Sequence, residues 1–175
     1  MKRVKLATVW LDGCSGCHMS VLDMDAAIIT LARKIDIVCG PLVDAQEFPD
    51  DVDVTLVEGA VSSQEDATKI QKVRQRTKTL IAMGDCAVTS NVPAMRNGVP
   101  VSQLLHTIYA TSNGSKDVPG ERLPQLLSHA RPLHEFVKID MHLPGCPPSS
   151  KLIVGVLSDL LDGKKPELAG KVKFG

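Results

Sequence analysis

The chain has 175 residues, 43% hydrophobic but only 3% aromatic, and its 20 acidic side chains balance 20 basic ones. That length suits one domain with an aliphatic core large enough to need no covalent staples. A neutral chain gives no electrostatic case for nucleic acid or an anionic membrane, and no apolar run approaches the ~18 residues of a spanning helix.

The N-terminus opens with Lys2 and Arg3, but Asp12 and Gly13 interrupt the following apolar run too early for a signal peptide, so a cytoplasmic protein is expected. Residues 4–11 are apolar, with Val and Trp, and predict a buried strand. Met19, Leu22, Ala26 and Ile29 recur at helical spacing and predict one helix reaching Arg33. Residues 35–39 predict a second strand, and residues 52–57, alternating with Asp53 and Thr55, a third. Ser62-Ser63-Gln64-Glu65 matches a capping box, in which hydroxyl and carboxylate each satisfy an amide at a helix start. The helix continues through Ala67, Ile70 and Val73 into a last turn rich in Lys and Arg, as the helix dipole favours. Residues 79–83 and 136–141 predict the fourth and fifth strands. Ser149 or Ser150 then opens a final helix carrying Leu152, Ile153, Val156, Leu157, Leu160 and Leu161, with Gly163 past its end.

Strand–helix alternation predicts an α/β fold, a doubly wound parallel sheet with helices on both faces, in one domain over residues 1–175. Residues 87–135 stand apart as a long insertion with frequent Pro and Gly and a short helix near 102–110. A segment of this kind is either functional or an ordinary surface excursion, which sequence alone weighs about evenly, and it is expected to face a partner.

The five cysteines need a physical reason. Cys39 ends an apolar run and reads as an inert buried thiol. Cys14, Cys17, Cys86 and Cys146 lie in Gly- and Pro-rich loop sequence instead, after the first, fourth and fifth strands. All four therefore fall at the carboxyl ends of parallel strands, the edge where open sheets bind ligands. A structural zinc site usually takes two close pairs, whereas only Cys14 and Cys17 are close here. A thioredoxin-like dithiol would leave two of the four unexplained. An iron–sulfur cubane takes four thiolates from distant loops and fits best, with zinc next and thiol redox chemistry third. Gly13, Gly16, Gly84 and Gly145 would let backbone approach sulfur.

The motifs Leu11-Asp12-Gly13-Cys14-Ser15-Gly16-Cys17, Val57-Glu58-Gly59-Ala60-Val61, Gly84-Asp85-Cys86-Ala87 and Pro144-Gly145-Cys146-Pro147-Pro148 resemble the small subunit of nickel–iron hydrogenases. The resemblance is strongest to the short, cytoplasmic, NAD-linked (bidirectional) type. It implies a flavodoxin-like fold and one 4Fe–4S cluster on Cys14, Cys17, Cys86 and Cys146, proximal to a nickel–iron centre in a separate large subunit. Hydrogen chemistry would belong to that partner. A diaphorase module with further clusters, FMN and NAD would be the electron partner. Longer family members carry an export signal and a C-terminal region for more clusters; neither pattern is found here, so electrons are expected to pass directly to another subunit. The related quinone-reductase (complex I-like) subunit usually has adjacent cysteines where this chain has Cys14-x-x-Cys17. A flavodoxin-like flavin-binding module is the competitor from another class, but the first loop offers cysteines rather than hydroxyls for a phosphate.

Glu58 closes the third strand and is expected at the same edge as Cys14. A carboxylate beside a cluster is costly without a partner, a proton or a metal. Proton relay and reserve iron ligation both fit it, as does a capping carboxylate that binds loop amides. His18 reads equally as a cap or donor to the cluster and as a residue on the exposed face of the first helix; His142 reads as a support for the Cys146 site or as a surface or core-edge residue, and Trp10 as core or interface. His106, His129 and His134 lie in the insertion and carry no functional case.

Overall fold

The computed structural model describes residues 3–45, 47–111, 118 and 120–175. Its central strands are β1 (Val4–Trp10), β2 (Ile35–Cys39), β3 (Val52–Glu58), β5 (Thr77–Met83) and β7 (Met141–Leu143). They form one five-stranded sheet, all parallel, in the order β2-β1-β3-β5-β7. A short antiparallel pair, β4 (Val61–Ser63) with β6 (Leu126–Arg131), sits beside it. The order reverses at β1, with β2 on one side and β3 on the other, so the crevice above β1 and β3 is a switch point.

Each face of the sheet has its own aliphatic core. Along β5, Leu80 and Ala82 face one way and Ile81 and Met83 the other, the period-2 alternation of a strand buried on both sides. The first face packs under α3 (Gln64–Gln75) through Ala67, Ile70 and Val73. The second packs under α1 (Gly16–Leu22), α2 (Ala26–Leu31) and α6 (Ser150–Leu161), where Ile153, Val156 and Leu157 are buried. The remaining helical segments are α4 (Asp85–Thr89), a 3-10 stretch at Val92–Gly98, α5 (Val101–Leu105) and a widened turn over His106–Thr111. Among the described residues no helix is long and apolar enough to cross a membrane.

Several expectations shift. The single helix to Arg33 is two, because the chain breaks at Asp23-Met24-Asp25 and Asp25 takes a positive φ of 49°. The apolar period runs through the break because both helices, and Met24 between them, bury the same side. The capping box lies one residue later: Ser63 is the cap and Asp66, not Glu65, returns the bond. Residues 136–141 are not the fifth strand. Phe136, Val137 and Ile139 pack from a turn against the α3-side core, and only Met141–Leu143 joins β5. The insertion is more ordered than its composition suggests, since it supplies β6, the partner of β4. Of its apolar residues, Val88 packs inward while Val92 and Val99 are exposed.

Candidate metal centre

Three loops at the carboxyl edge of the sheet carry the four thiols. After β1 the backbone is tied to the end of β3: the Leu11 amide donates to Glu58 O (2.9 Å), and Asp12 and Ala60 exchange two bonds of 3.1 and 2.8 Å. This fixes the turn that holds Cys14 and starts α1, on which Cys17 is buried. The Gly16 amide donates to Cys14 Sγ at 3.4 Å. Trp10, 44% exposed, donates its indole N–H to Gly13 O (3.1 Å) and braces the loop from outside.

After β5, Gly84 turns the chain into α4 and places Cys86 in its first turns. Gly84 has φ 85° and ψ 158°, a region open essentially to glycine alone. A Cβ there would lie 2.2 Å from Cys17 Sγ, so the missing side chain is the space that this sulfur occupies. After β7 the ladder to β5 continues into the loops, with the Gly84 amide on Leu143 O (2.8 Å) and the Asp85 amide on Gly145 O (3.0 Å). Cys146 follows and is exposed, as is Cys14, while Cys17 and Cys86 are buried.

The sulfurs share one electrostatic environment. Burial pushes the Cys17 thiol well above its usual range, and Glu58, Cys86, Cys14 and Cys146 push it further. Burial likewise raises Cys86; the Val92 amide opposes this, and Cys14, Cys146 and Glu58 add to it. Four thiols converging from loops far apart in sequence are poor neighbours as thiolates unless a cationic centre joins them. The donor set, all soft sulfur, suits iron–sulfur or zinc. Among the described residues no three His, Cys, Asp or Glu side chains gather as closely as the ligands of a single metal ion.

Glu58 lies at the same edge, 1% exposed. Its Oε2 accepts the His18 amide at 2.9 Å and also meets the His18 ring Nδ1. The capping reading of Glu58 therefore has its amide, and the ring gives the carboxylate a second partner. His18 is neither exposed nor turned toward the thiols through this nitrogen, and its buried Nε2 has no hydrogen-bond partner among the described residues. No local signal could have joined two residues 40 apart in sequence; the β1–β3 pairing does it, with Trp10 opposite Glu58. Sequence reasoning gives Asp85 no role of its own, yet its buried carboxylate bonds the Cys146 loop. Its place, just after a turn glycine and just before a cysteine, is the available clue. His142 meets His134 edge to face at 6.2 Å. Cys39 sits at the end of β2 and packs against the α3-side core, as an inert thiol would.

The family model described as NADH ubiquinone oxidoreductase, 20 Kd subunit, matches residues 14–160. The chain belongs to this family. Within it, the chain stands with the hydrogenase small subunits. It is 35% identical to the delta subunit of the NAD-reducing hydrogenase HoxS of Cupriavidus necator, over 97% of this chain and 84% of that one. A subunit of the F420-non-reducing hydrogenase vhu of Methanocaldococcus jannaschii is also 35% identical, over 97% of this chain but 60% of that protein. The chain thus spans less than two thirds of the methanogen relative's length. A chain of the NAD+-reducing [NiFe]-hydrogenase, solved in the H2-reduced state, superposes with a TM-score of 0.94 at 34% identity, covering 99% of this chain and 100% of that one. The likeness extends, as fold alone, to the [NiFeSe] hydrogenase of Desulfovibrio vulgaris Hildenborough (TM-score 0.61, 18% identity, 93% of this chain and 60% of that one). The α/β sheet with flanking helices expected from the sequence is the fold of these subunits.

Proposed function

We propose that this chain is the electron-transfer small subunit of a cytoplasmic nickel–iron hydrogenase and that Cys14, Cys17, Cys86 and Cys146 hold one 4Fe–4S cluster. In this reading the cluster is the one proximal to the nickel–iron site of a large subunit, and it relays electrons to a diaphorase module that reduces NAD. The observation that carries the reading is the convergence of four thiols from three loops into one field at the sheet edge. The relatives that share this fold and length, the delta subunit and the solved NAD+-reducing enzyme, support the NAD-linked assignment.

When bound, the cluster supplies one-electron redox chemistry that side chains lack. The chain supplies its setting. Two buried and two exposed cysteines hold the irons, with the exposed pair on the side open to a partner. The Gly16 and Val92 amides aim at Cys14 and Cys86, and such donors stabilise charge on sulfur. Val92 and Val99, exposed on the insertion, give a large subunit an apolar surface to cover. In this reading Glu58, whose Oε2 meets His18 Nδ1, holds or moves a proton or serves as a reserve iron ligand.

The family description keeps the quinone-reductase reading in view, and Cys14-x-x-Cys17 in place of adjacent cysteines argues against it. Purification of the native assembly decides between them. The expected companions are a nickel-binding large chain and flavin-bearing subunits, with hydrogen-dependent NAD reduction that this chain alone lacks. A quinone-reducing assembly without nickel would overturn the hydrogenase assignment. Flavin without iron on this chain would overturn the cluster. Glu58→Gln keeps shape and removes the acid; lowered hydrogen turnover or an altered oxidised-cluster spectrum is expected. Full turnover with an unchanged spectrum would leave Glu58 only its structural bond to His18.

A further inference from the structure

Asp85 is only 3% exposed, and a buried carboxylate needs specific partners to offset its lost hydration. It is the first residue of α4, but among the described residues its side chain serves no amide of its own helix. Oδ1 instead accepts the Gly145 amide at 2.7 Å, and Oδ2 accepts the Gly175 amide at 2.7 Å. The Asp85 amide returns a 3.0 Å bond to Gly145 O, so residues 85 and 145 are joined at two points. These neighbours are informative. Asp85 precedes Cys86, and Gly145 precedes Cys146, so the two-point bond ties together the residues before two of the four thiols.

Gly145 is built for that approach. Its φ is 139°, and a Cβ on it would lie 2.7 Å from Pro148 N and Cα, so the turn closes only without a side chain. The segment at Gly175 packs on the same loop, with a Cβ at Gly175 falling 2.4 Å from Cys146 Cβ. One carboxylate therefore fastens the Cys86 turn to the Cys146 loop and to the segment lying across it. β7 pairs only three residues with β5 and the Gly84 amide adds a bond to Leu143 O, so the Asp85–Gly145 bonds carry that short pairing on to the two cysteines.

We propose that Asp85 is the positioning residue of the centre: it clamps the Cys86 and Cys146 loops in register so that their thiols meet one cluster. This rests on the cluster assignment made above. A carboxylate is suited to this, because it accepts amides from two segments at once.

The test compares Asp85→Ala, Asp85→Asn and Asp85→Glu in the anaerobically purified hydrogenase assembly. Two properties are read: the rate at which a ferrous chelator strips iron from this chain and the paramagnetic resonance of the reduced cluster. Asp85→Ala removes the clamp. It is expected to lose iron about 10–100-fold faster, the usual range for losing a residue that orients ligands, with an altered resonance. Asp85→Asn keeps an acceptor for the Gly145 amide and removes the charge. It should hold iron close to the native rate, with a native resonance. If Asp85→Ala fails to assemble, Asp85→Glu decides: one added methylene moves the carboxylate out of register with the Gly145 amide, so faster iron loss is expected. Native iron retention and resonance in Asp85→Ala or in Asp85→Glu would overturn the clamp alone. A wild-type assembly with no iron on this chain would overturn the cluster assignment and the clamp with it.

Discussion

The two halves of the thiol set are built in different ways. Cys14 and Cys17 sit on one turn and the start of one helix, and their setting is held by β1–β3 pairing and by the His18–Glu58 contact below. Cys86 and Cys146 come from separate loops, joined by a three-residue strand pairing and the two-point bond of Asp85 with Gly145. The first half is set by local chain geometry with a long-range brace. The second has no local geometry to rely on, so its register depends wholly on long-range bonds. Local turns are inexpensive to order, whereas joining distant loops carries a closure entropy that the strand pairing must outweigh.

Breaking either half at a sulfur gives the largest effect. Cys17→Ser and Cys146→Ser should each abolish the four-iron form, read as iron per chain and as loss of the reduced-cluster resonance. Retention of native iron in either variant would remove that cysteine from the set.

The two halves meet at Gly84, which belongs to the second but leaves room for the sulfur of the first. Gly84→Ala should cost on the order of 1–3 kcal/mol in backbone strain alone. It should also displace Cys17 and reduce iron content. Denaturation of the iron-free protein against iron loading separates these parts, and a variant with native loading would mean that Cys17 does not need that space.

A smaller effect sharpens the comparison from the side of β7. Asp140, just before β7, accepts Arg74 Nη1 at 2.6 Å and the Leu80 amide at 2.8 Å, which pins the strand's entry to β5. Burial works to raise its carboxyl pKa, but the Leu80 amide and Arg74 outweigh it and hold the value below the usual range. A carboxyl lowered in the folded state adds stability that is complete above the unfolded pKa and is lost as pH falls through the folded one. Asp140→Ala should therefore destabilise by about 2 kcal/mol near neutrality, and the gap to wild type should close in acid. A gap that stays constant with pH would mean that charge plays no part in pinning β7.

The smallest effect lies outside both halves. Cys39→Ser, on a half-buried thiol away from the loops, should leave iron content and spectrum unchanged while costing a little packing.

How much of this is legible in the sequence follows the same division. The Cys14–Cys17 pair, the flanking glycines and the strand before them can be read directly, because each signal is local. That Cys86 and Cys146 join them follows from counting strands, and it survives although the fifth strand begins several residues later than its apolar run suggests. The apolar residues 136–139 belong to the core of one face without being a strand, and composition does not separate those cases. The split of the first helix is hidden because both pieces bury one continuous stripe. His18 with Glu58, and Asp85 with Gly145, pair over 40 and 60 residues and leave no periodic trace. β6 is lost in Pro- and Gly-rich sequence because its partner, β4, is only three residues long.

The most direct test of the central claim is iron and acid-labile sulfide per chain, with paramagnetic resonance, on the anaerobically purified protein. The account predicts about four irons and about four sulfides on this chain, and one reduced-cluster signal. Zinc bound to the four cysteines without iron or sulfide would contradict it.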